Sequence, residues 1–294
     1  ANISREVKSG ISSGNEGSGI SSENERSGIL LMNEDPVLRI GLIADIHYAD
    51  KPRWNNRNYR LSPDKAREAI TKFNDSNTDF IVLLGDNIDE MEKEADLNHL
   101  KFIDKIINQF NGEVHYVLGN HDLGELAKEE FINNTRGKGE APNYSFSKED
   151  YHFIILDANF RQDGVAYSGG NFEWTDSYIP SSQLNWLSGE LKKSRTEDRN
   201  VIIFIHQVLT DENDPHGVKN AGVIRNMLEQ SGNVLAVFQG HNHHGSYEKI
   251  NDIHYVGIHP MVVDDTNAFS ELIIGREGEI EIIGYGRQPD ITLR

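Results

Sequence analysis

The sequence predicts an α/β domain in which two β-sheets pack against each other and helices lie outside them. Three observations support this prediction. Strand-like and helix-like segments alternate from Val37 onward, and after Gly245 the pattern changes to short alternating strands. The hydrophobic fraction of 37% is sufficient to fill a core. No second change in composition divides the chain, so one domain is predicted over residues 36–294.

Residues 1–29 have a different composition, in which Ser-Gly-Ile recurs at Ser9, Ser18 and Ser27 among Ser, Gly, Glu and Asn residues. This segment contains too few apolar groups to offset the entropy lost on ordering. It is therefore interpreted as a flexible Ser/Gly-rich tail. Three copies would also fit the start of a stacked repeat, but the low apolar content favours the tail.

The first strand is predicted over Val37–Ala44, an apolar run rich in branched residues that is typical of a buried strand. Ser62 is predicted as the N-cap of the next helix, with Pro63 in its first turn. Further strands are predicted at Phe80–Leu84, Val114–Leu118, Tyr151–Leu156, Val201–Ile205, Val234–Phe238, Ile253–Ile258, Ala268–Ile274 and Glu279–Tyr285. Further helices are predicted at Leu97–Phe110, Ser182–Lys192 and Ala221–Glu229.

Charge and composition exclude several classes of function. The chain has 29 Lys and Arg against 47 Asp and Glu, a net charge of −18 that repels polyanions. A nucleic acid polymer is therefore not expected as a partner, and a nuclease is disfavoured. A locally basic pocket could still admit a small phosphorylated substrate. The absence of cysteine excludes disulfides, thiolate zinc sites and a cysteine nucleophile.

No apolar run approaches the roughly 20 residues that span a bilayer, so no membrane span is expected and the chain is interpreted as soluble. The lack of cysteine and the start at Ala1 without methionine fit an exported protein. They fit a cytoplasmic protein as well, so the sequence leaves the compartment open. It also leaves the oligomeric state open.

Metal-type ligands follow five of the predicted strands directly. In open α/β sheets such side chains gather beyond the carboxyl ends of the strands. The donors are oxygen and imidazole groups without thiolate, which suits Mn, Fe, Zn or Co. They are too many for one ion and sufficient for two divalent ions that share a carboxylate. Two such ions could hold a bridging hydroxide for in-line attack on phosphorus. The candidate ligands are Asp45, His47, Asp86, Asn120, His206, His241 and His243.

These residues form an ordered series of motifs that resembles the calcineurin-like metallophosphoesterase superfamily. The series reads Asp45-x-His47, Gly85-Asp86-x-x-Asp89, Gly119-Asn120-His121-Asp122, His206 and Gly240-His241-x-His243. The resemblance implies a four-layer αββα sandwich of two mixed β-sheets flanked by helices, the metallo-dependent phosphatase fold. It also implies two ions bridged by Asp86. One ion would be bound by Asp45, His47, Asp86 and His243, and the other by Asp86, Asn120, His206 and His241.

The same resemblance implies that His121 is not a ligand but faces the substrate as a general acid or transition-state stabiliser, paired with Asp89. An imidazole held by a carboxylate could protonate a leaving oxygen. Alternatively, Asp89 caps a helix or is a surface carboxylate. Asp122 either orients His121 or a ligand or caps the next helix, and it is kept out of the set of direct ligands.

Two departures from the superfamily pattern narrow the class of enzyme. Ile205 stands where many members have glycine, and Glu90 follows Asp89 where protein phosphatases have arginine. A protein phosphatase is therefore disfavoured. The spacing is closer to class III cyclic nucleotide phosphodiesterases and to manganese-dependent ADP-ribose/CDP-alcohol diphosphatases. The segment Asp45–Arg60 most resembles the latter group.

A basic and aromatic stretch follows the first ligands and could clamp a phosphate and stack on a base or sugar. It contains Lys51, Arg53, Trp54, Arg57, Tyr59 and Arg60. The alternative is a solvated loop with structural aromatic residues. The substrate-binding candidates are Arg57, Tyr59, Arg60 and His216. The loops 211–220 and 169–178 are expected to form further walls of the pocket. Their candidate residues are Lys219 in the first loop and Phe172 and Trp174 in the second, and His244 could also line the site.

The predicted function is hydrolysis of small phosphodiesters or phosphoanhydrides by attack of a metal-bridging hydroxide. The first alternative is a phosphomonoesterase of the alkaline phosphatase type that uses the same site. The second alternative is a non-catalytic binding protein with the same fold. Such a protein would be expected to lose ligands or His121, and none of these residues is missing.

Overall fold

The computed structural model describes residues 36–137 and 141–294. The predicted tail at residues 1–29 lies outside the described residues, so it remains a prediction. Pro36–Arg294 forms one compact unit that contains every candidate site residue. No helix in the described ranges is long and apolar enough to cross a membrane.

Strands and helices alternate through the first part of this unit, and strands dominate its last part. The strands are β1 (Leu38–Ile43), β2 (Phe80–Leu83), β3 (Glu113–Tyr116), β4 (Tyr144–Lys148), β5 (Tyr151–Ile155), β6 (Asn200–Ile205), β7 (Val234–Gln239), β8 (Ser246–Ile250), β9 (Ile253–Gly257), β10 (Ala268–Ile274), β11 (Ile280–Gly286) and β12 (Ile291–Leu293). The α-helices are α1 (Ser62–Asp75), α2 (Lys93–Ile107), α3 (Lys128–Asn134), α4 (Ser181–Thr196) and α5 (Ala221–Ser231). Short 3₁₀ turns cover Tyr59–Leu61 and His121–Leu123.

The strands form two mixed six-stranded sheets. The first sheet has the order β12-β11-β10-β1-β2-β3, with β1, β2 and β3 parallel and the other pairs antiparallel. The second sheet has the order β4-β5-β6-β7-β9-β8, with β5, β6, β7 and β9 parallel. Parallel pairing places the carboxyl ends of β1, β2 and β3 at one edge, and likewise those of β6 and β7.

The two sheets pack face to face because alternate strand residues point between them. Phe80 from the first sheet lies 5.1 Å, centroid to centroid, from Phe153 of the second sheet, with the rings edge to face. This is a favourable geometry for aromatic pairs. Both rings belong to a buried apolar cluster that includes residues of both sheets.

The intervening strand residues point to the outside, where helices cover them. Ile70 of α1 and Ile103 of α2 pack with Ile81 of the first sheet. Leu187 of α4 and Ile224 of α5 pack with residues of the second sheet. The order of layers is therefore helix, sheet, sheet, helix. This arrangement confirms the predicted αββα sandwich.

Local details differ from the sequence-based predictions at a few places. Ser62 is not the N-cap of α1, because the 3₁₀ turn before it already has helical torsion angles and Leu61 occupies the cap position. Pro63 does lie in the first turn, as predicted. The elements α3, β4, β8 and β12 had no individual prediction. All four are short, the residues of β8 are largely exposed and those of β4 are mostly half-buried, which weakens their apolar pattern.

Candidate metal centre

The seven candidate ligands converge at one rim, beyond the carboxyl ends of strands from both sheets. Residues after β1, β2 and β3 of the first sheet supply Asp45, His47, Asp86 and Asn120. Residues after β6 and β7 of the second sheet supply His206, His241 and His243. Six of the seven are buried and His243 is half-buried, so the rim is a recessed polar site and not an exposed acidic patch.

The side chains form two groups that meet at one carboxylate. Potential donor atoms of Asp45, His47 and His243 all lie within 4.8 Å of one another, as do those of Asp86, His206 and His241. Asp86 Oδ2 lies 3.4 Å from His47 Nε2 and 3.2 Å from His206 Nε2. It therefore faces both groups, as a bridging ligand must. The backbone amide of His121 donates to Asp86 Oδ1 at 2.8 Å, which places the adjacent Asn120 beside this carboxylate.

Several donor atoms lack hydrogen-bond partners in the described part of the chain, as expected for atoms that bind a cation. Several are buried and have no hydrogen-bond partner among the described residues: His47 Nε2, Asp86 Oδ2, the Asn120 amide, His206 Nε2 and His241 Nε2. Unpartnered buried polar atoms are costly, and most buried polar groups in proteins are satisfied. Two divalent cations would satisfy these atoms together. The oxygen and imidazole donors suit first-row transition metals.

Hydrogen bonds behind the ligands aim the imidazoles inward. His206 Nδ1 donates to the carbonyl oxygen of Leu84 at 2.7 Å. His47 Nδ1 lies 3.1 Å from Asp89 Oδ2. Each contact leaves Nε2 as the free nitrogen, which is the usual arrangement behind metal-binding histidines.

The backbone at the ligands adopts torsion angles that most residues avoid. The φ angles are 53° at Asp45, 45° at His47, 52° at Asp86 and 64° at His241. Left-handed torsions in non-glycine residues cost free energy and concentrate at functional sites. Gly119 is required for a different reason, since a Cβ atom there would lie 2.2 Å from the amide nitrogen of Asp86. The turns after β2 and β3 can approach this closely only with glycine at that position.

Burial and neighbouring charges set the protonation of the ligands. Burial alone would raise the pKa of Asp86, but His206, His121 and His47 outweigh it and hold that pKa well below its ordinary value. The pKa of Asp45 is also lowered, since contacts with His243 and His47 outweigh burial. Burial, followed by the nearby His206, lowers the pKa of His241. The carboxylates are thus anionic and His241 is neutral, the forms that bind cations.

His121 lies at the edge of the centre, with its ring centroid 4.7 Å from that of His47. Asp89 was expected to be its partner, but Asp89 Oδ1 lies 3.7 Å from His121 Nδ1, beyond hydrogen-bond distance. Asp89 instead contacts His47 Nδ1 and accepts from Lys51 Nζ at 2.5 Å. The carboxylate that hydrogen-bonds His121 Nδ1 is Glu90. Sequence reasoning noted Glu90 only as a departure from the motif, although its position next to Asp89 was a signal.

Asp122 joins two of the ligand-bearing turns. Its carboxylate accepts hydrogen bonds from the backbone amides of Asn87 at 2.7 Å, Ile88 at 3.2 Å and Gly119 at 2.9 Å. These contacts connect the turn after β2, which carries Asp86, to the turn after β3. Asp122 therefore supports the ligands from behind, which agrees with its exclusion from the direct ligands.

The four substrate-binding candidates divide into three that lie near the centre and one that points elsewhere. Arg57 Nη1 lies 3.8 Å from Asp89 Oδ2. Tyr59 is buried, and the Lys51 ammonium lies 4.5 Å from its ring centroid. The His216 ring lies 5.1 Å from that of His241.

Arg60, by contrast, pairs with exposed Asp50 at 2.7 Å. Nearby, Arg53 pairs with Asp265 at 2.9 Å, and Trp54 is 62% exposed. Arg53, Trp54 and Arg60 are therefore solvated, as expected for the alternative in which this stretch is a solvated loop. His244 is exposed as well, and its backbone amide is bonded only to the neighbouring Asn242 side chain.

Both candidate pocket loops reach the centre. In loop 169–178, the Phe172 ring lies 5.8 Å from His121, and Trp174 lies 6.3 Å from His241. In loop 211–220, His216 contacts Trp174 at 5.2 Å and hydrogen-bonds Asp214 at 2.8 Å. The aromatic rings of these loops thus lie beside His121 and beside the ligand group that contains His241. Lys219 bonds instead to carbonyl oxygens of its own loop.

A buried polar network behind the centre was not predicted. Asn159 donates to the carbonyl oxygen of Leu118 at 2.8 Å and accepts from Gln207 Nε2 at 2.7 Å. It therefore connects the end of β3 with the residue after ligand His206. Asp157 accepts from Asn159 and from Lys128 Nζ, the latter at 2.5 Å. A signal was available, because Asp157 and Asn159 follow the predicted strand Tyr151–Leu156 just as the ligands follow theirs.

Comparisons with known proteins agree with this geometry. Residues 38–245 match the family model described as calcineurin-like phosphoesterase. The chain is 24% identical to a manganese-dependent ADP-ribose/CDP-alcohol diphosphatase of Oryza sativa subsp. japonica, across 89% of this chain and 95% of that protein. A protein of the same name from Danio rerio is 24% identical across 72% of this chain and 83% of its own.

Solved structures share the fold. A dimetal phosphatase from Danio rerio superposes with a TM-score of 0.75 at 23% identity, across 88% of this chain and 99% of that one. A purple acid phosphatase from yellow lupin seeds superposes with a TM-score of 0.60 at 12% identity, across 87% of this chain and 52% of that one. At these identities, the structural likeness supports the fold alone.

Proposed function

This chain belongs to the calcineurin-like phosphoesterase family, and from that membership we propose that it hydrolyses small diphosphate compounds or phosphodiesters, with manganese among the metals that support turnover. It is a metal-dependent phosphoesterase that uses two divalent ions. Beyond family membership, the proposal specifies the class of substrate and the metal. It is supported by the names of the relatives, which act on ADP-ribose or CDP-alcohols and depend on manganese.

One observation carries the proposal: Asp86 Oδ2 faces imidazoles of both ligand groups at 3.2–3.4 Å. A carboxylate in that position can be shared by two cations. When bound, such a pair polarises the phosphoryl oxygens and activates water for in-line attack on phosphorus.

The residues around the ligands divide the remaining tasks in this proposal. His121, beside His47, would meet the leaving oxygen and donate a proton or a hydrogen bond to it. Arg57 and Lys51, whose side chains both approach Asp89, would meet a second phosphate. The rings of Phe172 and Trp174 would exclude water from one side of the reacting phosphorus.

A diphosphate or diester is favoured over a monoester by what lies beyond the ligands. Arg57 and Lys51 are partly exposed cations in a chain of net charge −18. A monoester would occupy the metals and leave these cations paired with Asp89 alone. A substrate with a second phosphate would reach both.

The test is an activity panel with the purified, metal-free protein reconstituted with manganese. We expect hydrolysis of nucleoside diphosphate sugars or alcohols, slower hydrolysis of bis(p-nitrophenyl) phosphate and little action on p-nitrophenyl phosphate. A chelator should abolish all three activities. Hydrolysis confined to the monoester would instead assign a phosphomonoesterase, and activity that survives chelation would overturn the metal-dependent mechanism.

A further inference from the structure

The carboxylate next to His121 has a role that the motif does not assign. We propose that Glu90 is the positioning residue for His121, which holds the imidazole so that Nε2 meets the leaving oxygen. This inference rests on the proposed function, in which His121 assists departure of the leaving group. It assigns to Glu90 the contact with His121 that was expected for Asp89.

Asp89 already has other partners. Its Oδ2 atom lies 3.1 Å from Nδ1 of His47, and its Oδ1 atom accepts from Lys51 Nζ at 2.5 Å. Arg57 approaches Oδ2 at 3.8 Å. The distance from Asp89 Oδ1 to His121 Nδ1 is 3.7 Å, longer than a hydrogen bond. Asp89 therefore supports a metal ligand, and His121 requires another partner.

Glu90 occupies the position beside His121 that Asp89 does not fill. Glu90 Oε2 is hydrogen-bonded to Nδ1 of His121, and the side chain of Glu90 is 38% exposed. Because Nδ1 is held, Nε2 is the ring nitrogen that remains for the substrate. A carboxylate behind a functional histidine is a recurrent means of fixing the orientation of the ring.

The backbone near His121 leaves space for Glu90. His121 begins a short 3₁₀ turn whose C-cap is Gly124. A Cβ atom at Gly124 would lie 2.5 Å from Cβ of Glu90, closer than such atoms ever approach. Glycine at this position therefore lets the turn that carries His121 pack directly on Glu90. The two residues are held together by packing as well as by the hydrogen bond.

The chemical consequence concerns the bond that breaks. During hydrolysis the P–O bond to the leaving group breaks with its electron pair on the leaving oxygen, which takes a proton from His121 Nε2. Water supplies the oxygen that bonds to phosphorus and releases a proton to solvent, and a proton from solvent restores His121. A misdirected imidazole slows this step most when the leaving oxygen is strongly basic. A nitrophenolate departs without help from a proton.

The test compares two leaving groups in four variants: Glu90→Leu, Glu90→Gln, His121→Ala and the double variant Glu90→Leu/His121→Ala. The substrates are methyl phenyl phosphate and methyl p-nitrophenyl phosphate. We expect Glu90→Leu to lower kcat about 10–100-fold for the phenyl ester, the usual effect of a supporting residue. His121→Ala should lower it about 10²–10⁴-fold. Both variants should affect the nitrophenyl ester much less.

Two further results are expected. Glu90→Gln should recover part of the loss, because its amide oxygen still accepts from Nδ1. The double variant should be no slower than His121→Ala alone, since Glu90 acts only through His121. Losses that add, or an equal loss for both leaving groups, would overturn the proposal.

A control and a second readout separate positioning from damage to the fold. Glu94 is an exposed glutamate four residues along, in the first turn of α2, and Glu94→Leu should leave kcat unchanged for both esters. In the metal-free protein with labelled histidine, the ring resonance missing from His121→Ala identifies His121. That resonance should broaden or shift in Glu90→Leu and stay unchanged in Glu94→Leu. An unchanged resonance in Glu90→Leu would contradict the positioning role.

Failure of this proposal differs from failure of the proposed function. If the wild-type protein hydrolyses neither these esters nor nucleoside diphosphate compounds in a metal-dependent way, the proposed function fails. If the wild type is active, His121→Ala is impaired and Glu90→Leu matches the wild type, the function stands and the role of Glu90 is wrong. Metal content, measured in every variant, should equal that of the wild type. A Glu90→Leu protein that loses metal would assign Glu90 to the metal site instead.

Discussion

At the scale of single residues, Asp86 connects the two halves of the centre. Its Oδ2 atom faces His47 and His206, its Oδ1 atom accepts from the backbone of His121, and its own backbone is in the left-handed region. One side chain thus contacts both ligand groups and the turn that carries the candidate acid.

Asp86→Asn should weaken the binding of both ions together, because the amide cannot supply a charged oxygen to each of them. The affinity for each metal should fall by more than the roughly 10–100-fold that is typical of supporting residues. Elemental analysis after dialysis against graded metal concentrations would measure both occupancies. His243→Ala is the matched comparison, since it removes a ligand from only one group. Loss of a single ion from Asp86→Asn would contradict the bridging position.

The residues of the centre were predictable because their chemistry coincides with their position. Asp45, Asp86 and His206 each follow a buried strand directly, so the sequence alone indicates that they meet. The choice between Asp89 and Glu90 as the partner of His121 was not predictable. It depends on which of two adjacent side chains turns toward the ring, and this is set by packing against Gly124, which is distant from Glu90 in sequence.

At the scale of the element, α3 shows how a short helix is held in place. Its first residue, Lys128, is buried, pairs with Asp157 at 2.5 Å and lies 3.5 Å above the Phe160 ring. A helix of this length has little stability of its own. The ion pair and the cation–π contact anchor it beside the network that supports the centre.

Lys128→Met should destabilise the protein by about 3–5 kcal/mol, because it leaves the Asp157 carboxylate buried without its cationic partner. Urea unfolding of the metal-free protein would measure the loss. The control is Lys93→Met, which removes an exposed pair with Glu130 and should cost no more than about 1 kcal/mol. Equal losses in the two variants would show that burial of the Lys128 pair has no energetic consequence.

Asp96, in the first turn of α2, should give the protein a measurable pH dependence. Burial raises the pKa of Asp96 to about 6, despite the hydrogen bond from the Met91 amide. The folded state therefore holds its proton more tightly than the unfolded state, where the pKa is about 3.9. This contribution to stability is present below about pH 4 and is lost as the pH rises through about 6.

Asp96→Asn keeps an acceptor for the Met91 amide and has no proton to lose. Relative to the wild type, it should therefore gain about 1–2 kcal/mol of stability between about pH 4.5 and pH 7. Unfolding measured at both ends of this pH range, with a chelator present, would give the difference in stability between the variant and the wild type. Asp64→Asn removes an exposed first-turn carboxylate from α1 and controls for the loss of charge. A difference that stays level across this range would refute the assignment to Asp96.

Elements with strong apolar runs were predictable, and weakly amphipathic ones were not. The run Val201–Ile205 and the alternating segment Ala268–Ile274 were located to within a residue of β6 and β10. The edge strand β4 was missed, because its serines and half-exposed aromatic residues carry no clear period. The predicted cap at Ser62 was wrong because a 3₁₀ turn precedes it, and Tyr59 of that turn is buried with Val262 and Val263, which are distant in sequence.

At the scale of the whole molecule, the centre lies where the two sheets meet. The first sheet supplies four of the candidate ligands and the second supplies three. Hydrogen bonds across the sheets, from His206 to Leu84 and from the His241 amide to Asp45, already connect the two rims. Cations held between them would add to that connection.

Removal of metal should therefore lower the stability of the entire unit. With free metal at about 100–1,000 times its dissociation constant, binding contributes about 3–4 kcal/mol to folding. For a domain of this size, a chelator should lower Tm by about 5–15 °C. Calorimetry with and without chelator would measure the change, and Asp86→Asn should show a smaller one. An unchanged Tm in the wild type would mean that the ions do not tie the sheets together.

The left-handed backbone at Asp45, His47, Asp86 and His241 has a consequence for protein engineering. A designer who copied only these side chains onto the ordinary strands or helices of another scaffold would aim them in the wrong directions. The portable unit is the whole strand-to-turn junction, with Gly119 included because no other amino acid fits its place. To move this site to another protein, the loops would have to be transferred together with their side chains.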